Sequence, residues 1–187
     1  MNWIKIFDQE FVRDFLKKVV KHSYDDSQEI LEWSKKNINP SIEINDTIWF
    51  QNVLSFVFFY LYLTERYALG NLSEELIKEF IPALEEVTLG FAIDVIYSES
   101  EIDPVKKEKI YNHSVNTFIV FKRRNKKFNI LIPEKSELLK DSLIYDFTKS
   151  VSMKFIHKSD EDFQAHIGKL LIKSLQDIDF NNFIHNI

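Results

Sequence analysis

Asp162 and His166 are a pair of side chains whose types and spacing could do chemistry. They stand four residues apart, so a helix would present both on one face, and His157 lies just upstream. A carboxylate and an imidazole at this spacing could bind a metal ion, or act as a base and the group that orients it. A solvated acid–histidine pair is the simpler interpretation. We therefore predict no catalytic residue, and we predict no metal site because the histidines lack the spacing of a ligand set.

Glu86, Gly90 and Asp94 form a four-residue ladder in a segment that is otherwise rich in apolar residues. The two carboxylates are about 12 Å apart along a helix axis. That separation is too large for both to act on one bond. Gly90 would let another backbone approach, and Arg66 is a conceivable ion partner. We interpret the ladder as packing plus a salt bridge, with a ligand-facing acid as the alternative.

Residues 122–127, KRRNKK, are the only basic block of the chain. The block could contact phosphate or an acidic protein partner. It could equally be the cationic C terminus of a helix, or a solvated hairpin tip. Aromatic residues flank the block and do not alternate with its cations, which is the weaker pattern for stacking on bases. The candidates for contact with a protein partner are Lys122, Arg123, Arg124, Lys126 and Lys127.

Gln51, Ser55 and Tyr62 form a polar stripe, at helical spacing, on the most apolar segment of the chain. The stripe is either where a helix touches water or a set of convergent polar groups in an apolar ligand pocket. Taken with the groups above, it gives six ligand-pocket candidates: Gln51, Ser55, Tyr62, Arg66, Glu86 and Asp94.

The segment that must position these groups is a hydrophobic helix over about 46–69. Only three residues between positions 48 and 63 are plainly polar: Gln51, Asn52 and Ser55. Such a helix should be wrapped by neighbours on most of its circumference. A membrane-spanning helix needs about 20 mostly apolar residues. This run is shorter and has charged residues at both ends, so we predict a buried core helix and no membrane contact.

Amphipathic patterns predict further helices around it. Apolar residues recur every three or four positions at about 2–22, 27–37, 73–97 and 135–157, and again after residue 162. Pro82 should kink or split the third of these. Asp103 and Pro104 form a strong helix start, with a capping carboxylate followed by proline at the first helical position.

Residues 115–132 have two interpretations. Helical spacing continues from Pro104 to about Phe121. The same segment also contains two β-rich runs joined by a charged turn, although the turn lacks the Asn-Gly pair of a tight hairpin. We prefer the helix and keep a short β-hairpin at 117–132 as the alternative. The fold prediction is therefore a mainly α, single helical domain over 1–187, a bundle of six or seven helices around the central hydrophobic helix.

Length, charge and composition limit the classes of function. The chain has 187 residues, enough for one well-buried domain, whereas two would each be small. Its 24 Lys and Arg against 29 Asp and Glu give a net charge of −5, which argues against nucleic acid as the main partner. The lack of cysteine excludes disulfides and cysteine nucleophiles. No secretory signal is visible, so we expect a cytoplasmic protein.

Signatures of the common enzyme classes are missing from this sequence. Its three glycines are isolated, so no glycine-rich loop can wrap a phosphate, and neither H-E-x-x-H nor G-x-S-x-G occurs. We expect no cofactor, and we rank an enzyme third. Our first expectation is a non-catalytic protein that binds another protein, as immunity proteins, antitoxins and adaptors do. The second is a small-molecule-binding regulator with an aromatic pocket around the central helix. An exposed apolar patch would favour the first, and a closed cavity at the polar stripe the second.

Overall fold

The computed structural model describes residues 9–42, 45–97, 103–128 and 142–187, and these are mainly helical. Seven α-helices follow one another: α1 (Glu10–Asn37), α2 (Asp46–Asn71), α3 (Glu74–Ile96), α4 (Pro104–Asn125), α5 (Leu143–Ile156), α6 (Glu161–Ile178) and α7 (Phe180–His185). The prediction of a mainly α fold is confirmed, and no β-strand occurs in the described ranges.

α1 is one continuous helix, whereas the sequence predicted two helices over 2–22 and 27–37. Residues 2–8 of the first lie outside the described ranges. The polar residues near position 25 do not interrupt the helix, because Ser23, Asp26 and Ser27 continue its buried face. The hydroxyls of Ser23 and Ser27 donate to the carbonyl oxygens four residues back, at 2.7 Å in each case. Polar side chains can thus stay inside this helix without breaking it.

α2 is the most deeply buried helix of the described chain. Every residue from position 52 to 64 is buried, and Phe56, Phe59 and Leu63 are 0–2% exposed. The helix packs against α1, α3, α4 and α7, and the Phe59 ring lies 4.5 Å from that of Phe147 on α5. By length and composition α2 could also cross a membrane, yet 72% of its most apolar window is buried inside the protein. The core helix of a soluble protein meets the same criterion.

α3 and α4 are both continuous helices, and α4 is longer than the sequence predicted. Pro82 does not split α3, which runs unbroken through it, and the proline itself is exposed. α4 starts at Pro104 with Asp103 as its cap, as predicted, and continues beyond Phe121. The hairpin alternative for 117–132 is not observed, because residues 117–125 belong to α4. The buried Phe118 and Asn125, seven residues apart, lie on one helical face, and cations occupy the last turn, where a helix favours them. Residues 129–132 lie outside the described ranges.

The C-terminal helices close the chain back onto α1. The helix predicted at 135–157 is α5, and its first predicted residues, 135–141, lie outside the described ranges. Asp160 caps α6 by accepting from the backbone N–H of Phe163. α7 packs Phe183 face to face on Phe15 of α1, with ring centroids 3.7 Å apart. α1, α6 and α7 therefore form one contact region.

Candidate functional site

The outer face of α4 exposes apolar and cationic side chains side by side. Within this helix only Ser114, Phe118 and Asn125 are buried. On the opposite side, Ile119 is 38% and Val120 63% exposed. Arg123 lies on this side of the helix, and the exposed Lys126 and Lys127 follow directly after its end. We call this surface the α4 patch, and it consists of Ile119, Val120, Arg123, Lys126 and Lys127.

Two of the five predicted partner-binding cations form ion pairs with other helices. Lys122 Nζ lies 2.7 Å from Glu85 Oε1 of α3 and 3.4 Å from Glu65 Oε2 of α2. Burial would lower the pKa of Lys122, but the hydrogen bond and charge of Glu85, with the charge of Glu65, outweigh it and raise that pKa. Arg124 pairs with Asp146 of α5 at 3.0 Å. Both side chains hold α4 in place.

The other three predicted cations remain available for a partner. Arg123 and Lys126 form no ion pair with any described residue, and Lys127 lies 5.0 Å above the ring of Phe128. The turn that follows the helix is fixed, because the Phe128 N–H donates to the carbonyl oxygen of Asn125 at 3.0 Å. On a chain with net charge −5, this is a local positive surface with an apolar pair beside it.

The polar stripe of α2 does not converge on one point. Gln51 is exposed, and Ser55 accepts a hydrogen bond from Lys154 of α5 at 2.8 Å. Burial, and then the charge of Arg124, lower the pKa of that lysine. Tyr62 lies further along the helix. Its hydroxyl is buried with no hydrogen-bond partner among the described residues, and the Arg66 guanidinium lies 6.0 Å from its ring centroid.

Glu86 and Asp94 lie apart from that stripe, on the side of α3 that faces α4. Asp94 pairs with Lys107 of α4, and both acids are exposed. Burial and the nearby charge of Glu86 raise the pKa of Tyr111. Within the described ranges neither acid pairs with Arg66. A Cβ on Gly90 would meet nothing within 4 Å, so the expected close backbone approach there is wrong. The glycine instead opens a shallow groove of about 350 Å³ between α3 and α4.

A larger open groove lies between α1 and α3. It measures about 460 Å³ and has an apolar floor with charged residues along one side. Its lining residues are Lys17, Val20, Lys21, Tyr24, Asp25, Phe91, Val95 and Ile96. None of the six ligand-pocket candidates contributes to it.

The Asp162 and His166 pair predicted as a surface feature does not form. His166 instead stacks on Trp33, with ring centroids 5.2 Å apart, and its Nε2 lies 3.8 Å from Glu29. Burial lowers the pKa of His166. Asp162 and His157 are exposed. In the part of the chain that the structure describes, no group of three acidic, cysteine or histidine residues is arranged to hold a metal ion.

Sequence reasoning missed the most unusual ionisable group, Asp26 in the middle of α1. It is 5% exposed, and the Tyr60 hydroxyl donates to its Oδ2 at 2.6 Å. The Ser174 hydroxyl lies 3.0 Å from both of its carboxyl oxygens. Burial raises the pKa of Asp26 to about 6. A signal was present, since Asp26 stands seven residues after Val19 and therefore on the apolar face of α1.

Comparisons of this chain with protein-family models, with curated proteins and with solved structures find no match. What the chain binds must therefore be inferred from the geometry and the charges of its own described residues.

Proposed function

We propose that this protein is a non-catalytic, cytoplasmic protein that binds an acidic segment of another protein through the α4 patch. Proteins of the immunity, antitoxin and adaptor type work in this way. The observation that carries the proposal is the exposure of Ile119 and Val120 directly beside three available cations on a net acidic chain. A single α-helical bundle over 1–187, with α2 at its centre, is the proposed scaffold. The burial of residues 52–64 supports it.

The apolar pair supplies affinity for such a partner. Each of the two side chains, once withdrawn from water, would contribute about 1–2 kcal/mol by the usual area relation. Exposed aliphatic residues are ordinary when single, so the adjacency of Ile119 and Val120 is the informative feature. Covering the pair would leave the cations at the rim of the interface.

The cations supply the choice of partner. A clustered positive field attracts acidic surfaces and speeds their encounter, while it contributes little to the stability of the fold. Arg123 in particular carries the guanidinium that is enriched at protein interfaces and binds carboxylates through two parallel hydrogen bonds. The complementary surface is therefore apolar in its centre, with Asp and Glu around it.

Nucleic acid fits this surface less well. Three cations would release few counterions, so binding to phosphate would be weak and strongly dependent on salt. Stacking on bases needs exposed aromatic faces. The neighbouring rings do not offer them, because Phe118 is 1% exposed while Phe121 and Phe128 are packed against the core.

The test first identifies the partner and then measures its affinity for the wild-type protein and two variants. A photo-reactive amino acid at position 120, introduced into the protein in cells, should crosslink to a protein that mass spectrometry identifies. Purified partner is then titrated with wild type, with Arg123→Ala/Lys126→Ala, and with Lys169→Ala/Lys173→Ala. The last variant removes the same charge from an exposed part of α6.

We expect the patch variant to bind about tenfold more weakly, which corresponds to ~1.4 kcal/mol, and the α6 variant to bind within about twofold of wild type. Equal affinities for the two variants would overturn the assignment of the site. A partner whose contact surface is basic would overturn the proposed chemistry.

The alternative, a small-molecule-binding regulator, is favoured by one observation on α2. The buried amide of Asn52 and the buried hydroxyl of Tyr62 lack hydrogen-bond partners among the described residues. Buried polar atoms of this kind often mark a place for a water molecule or a ligand. Thermal-shift screening of small polar aromatic compounds would test it. A stabilising compound should lose its effect on Tyr62→Phe and keep it on Tyr24→Phe, an exposed tyrosine elsewhere.

A further inference from the structure

α1 and α6 lie antiparallel, and polar contacts join them one helical turn apart. At one end, His22 Nε2 lies 2.7 Å from Asp177 Oδ2. Beside it, Lys18 Nζ donates to the backbone carbonyl of Asp177 at 2.8 Å. One turn further along both helices, Asp26 meets Ser174. We call this set of contacts the α1–α6 seam.

Two contacts of the seam, His22 with Asp177 and Asp26 with Ser174, involve side chains that can gain or lose a proton. An apolar contact between two helices does not have this property. The His22 and Asp177 side chains carry opposite charges only while the imidazole is protonated. The hydrogen bond of His22 and the charge of Lys18 lower the pKa of Asp177, so this acid stays ionised under mildly acidic conditions.

Asp26 is buried, and no cation of the described residues is in contact with it. As a neutral carboxylic acid it can accept from the Tyr60 hydroxyl with Oδ2 and donate to the Ser174 oxygen, 3.0 Å from Oδ1. As a carboxylate it would hold a negative charge between α1, α2 and α6, with only two neutral hydroxyls as donors. Such a charge is costly in a site that excludes water.

Further along the same two helices, the surroundings of Trp33 depend on the position of α6. Trp33 of α1 stacks on both Phe163 and His166 of α6, with ring centroids 5.2 Å apart in each pair. If α6 moved away from α1, the indole would lose both stacking partners. The fluorescence of Trp33 therefore shows whether α6 lies against α1.

We propose that the α1–α6 seam is a pH-dependent device: Asp26 holds α6 and α7 closely against α1 while it is protonated, and its ionisation lets them open more often. The proposal does not depend on any partner of the α4 patch, which lies on another helix.

The direction follows from proton linkage. Burial raises the pKa of Asp26 from 3.8 to about 6 in the closed state. Opening exposes the carboxyl and returns the pKa to its ordinary value, so between these two values the closed state binds the extra proton. Closure is thus most favourable below about pH 4, weakens as the pH rises through 6, and is constant above that.

The other groups around Asp26 are few. On α1, His22 opposes the shift and Asp25 adds to it. Lys21 is paired with Asp25. From α2 only Tyr60 acts on it, and burial keeps the pKa of that phenol well above its ordinary value. In the described ranges no titratable group of α3 or α7 is among those that act on Asp26. Burial lowers the pKa of His166, so this group favours closure at higher pH, in the direction opposite to Asp26.

The experiment measures amide hydrogen exchange of α6 and α7 at pH 5 and pH 8, divided by the intrinsic rate at each pH, with α2 as internal reference. We expect protection of α6 and α7 to fall about tenfold relative to α2. Trp33 fluorescence should change over the same range, measured on a protein whose other two tryptophans are replaced by Phe. Carbon-13 NMR of the Asp26 carboxyl should titrate near pH 6.

Two variants separate Asp26 from its surroundings. Asp26→Asn keeps the shape and cannot ionise, so most of the wild-type difference in protection between the two pH values should disappear. The matched control Glu32→Gln, an exposed acid of α1 in contact with Gln28, should keep the wild-type difference. Tyr60→Phe removes a donor that favours the carboxylate, so the NMR midpoint should move to higher pH.

An Asp26 carboxyl that titrates near pH 4 in the wild type would overturn the proposal. So would a pH-dependent loss of protection in Asp26→Asn equal to that of wild type. If Asp26→Asn does not fold, the direction of the Tyr60→Phe shift decides the question, and a midpoint moved to lower pH would count against it.

Discussion

Lys122 of α4 lies between Glu85 of α3 and Glu65 of α2, at 2.7 Å from one carboxylate and 3.4 Å from the other. The first contact is a hydrogen bond, and the second is an ion-pair distance without hydrogen-bond geometry. One cation thus neutralises acids from two other helices. The geometry of α4 therefore divides the basic block, because Lys122 points into the fold while Arg123 points away from it.

This contact predicts that Lys122→Ala destabilises the protein. Both carboxylates would be left largely buried with no counter-charge, which costs roughly 1–3 kcal/mol. Urea unfolding at neutral pH measures the free energy. Lys126→Ala, an exposed cation of the same block, should stay within about 0.5 kcal/mol of wild type. Equal losses for the two variants would show that the block is not divided in this way.

A second prediction concerns the core around α2. Phe59 is fully buried and its ring lies 4.5 Å from that of Phe147. We expect Phe59→Ala to lower the free energy of unfolding by about 3–5 kcal/mol, the usual cost of removing a buried aromatic ring. Ile119→Ala, a truncation on the exposed face of α4, should cost much less. A melting temperature for Phe59→Ala close to that of Ile119→Ala would contradict the placement of α2 in the core.

A third prediction concerns zinc. His166 is stacked on Trp33 and only Glu29 lies near its Nε2, so two further ligands are lacking among the described residues. Zinc needs about four ligands for tight structural binding. Calorimetric titration should show no tight one-to-one binding, and His166→Ala should give the same trace. Tight binding that this substitution abolishes would require a site that brings His166 to other ligands.

Much of the fold could be predicted because apolar spacing is a local property. Periodicity and capping predict the start of α4 at Pro104 and its continuation through Phe121. The same periodicity predicts the buried segment of α2 that contains Phe56, Phe59 and Leu63. The break expected near residue 25 was wrong for an instructive reason. Polar residues between positions 22 and 28 interrupt the apolar pattern of the sequence, although Asp26 is in phase with the apolar face of α1.

The candidate site was predictable only in part. The sequence places five cations together, but their division depends on Glu85 and Asp146, which lie on α3 and α5 and are brought close only by folding. The burial of Asp26 depends likewise on Ser174, 148 residues away in the chain. Periodicity shows which face of a helix is covered, but it does not show which residues cover it.

A fourth prediction distinguishes Arg123 from its neighbour Arg124 in a gel shift with nucleic acid. Arg124 pairs with Asp146, whereas Arg123 forms no ion pair with a described residue. Exposed charges act over a Debye length of about 8 Å in physiological salt, so a patch of three cations binds phosphate weakly there. We expect binding to be detectable only at low salt, to fall with Arg123→Ala/Lys126→Ala, and to change little with Arg124→Ala.

The outcome of that gel shift also decides between partner classes. Circular dichroism of each variant shows first that the fold is intact, because loss of the Arg124 pair acts on the contact of α4 with α5. Binding that persists at physiological salt and disappears in Arg123→Ala/Lys126→Ala would mean that the α4 patch recognises a phosphate backbone. An acidic protein would then no longer be its main partner. Weak binding that vanishes at physiological salt would instead favour an acidic protein segment as the partner. Such a segment can pair with the cations and also cover Ile119 and Val120, whereas a phosphate backbone cannot cover these apolar side chains.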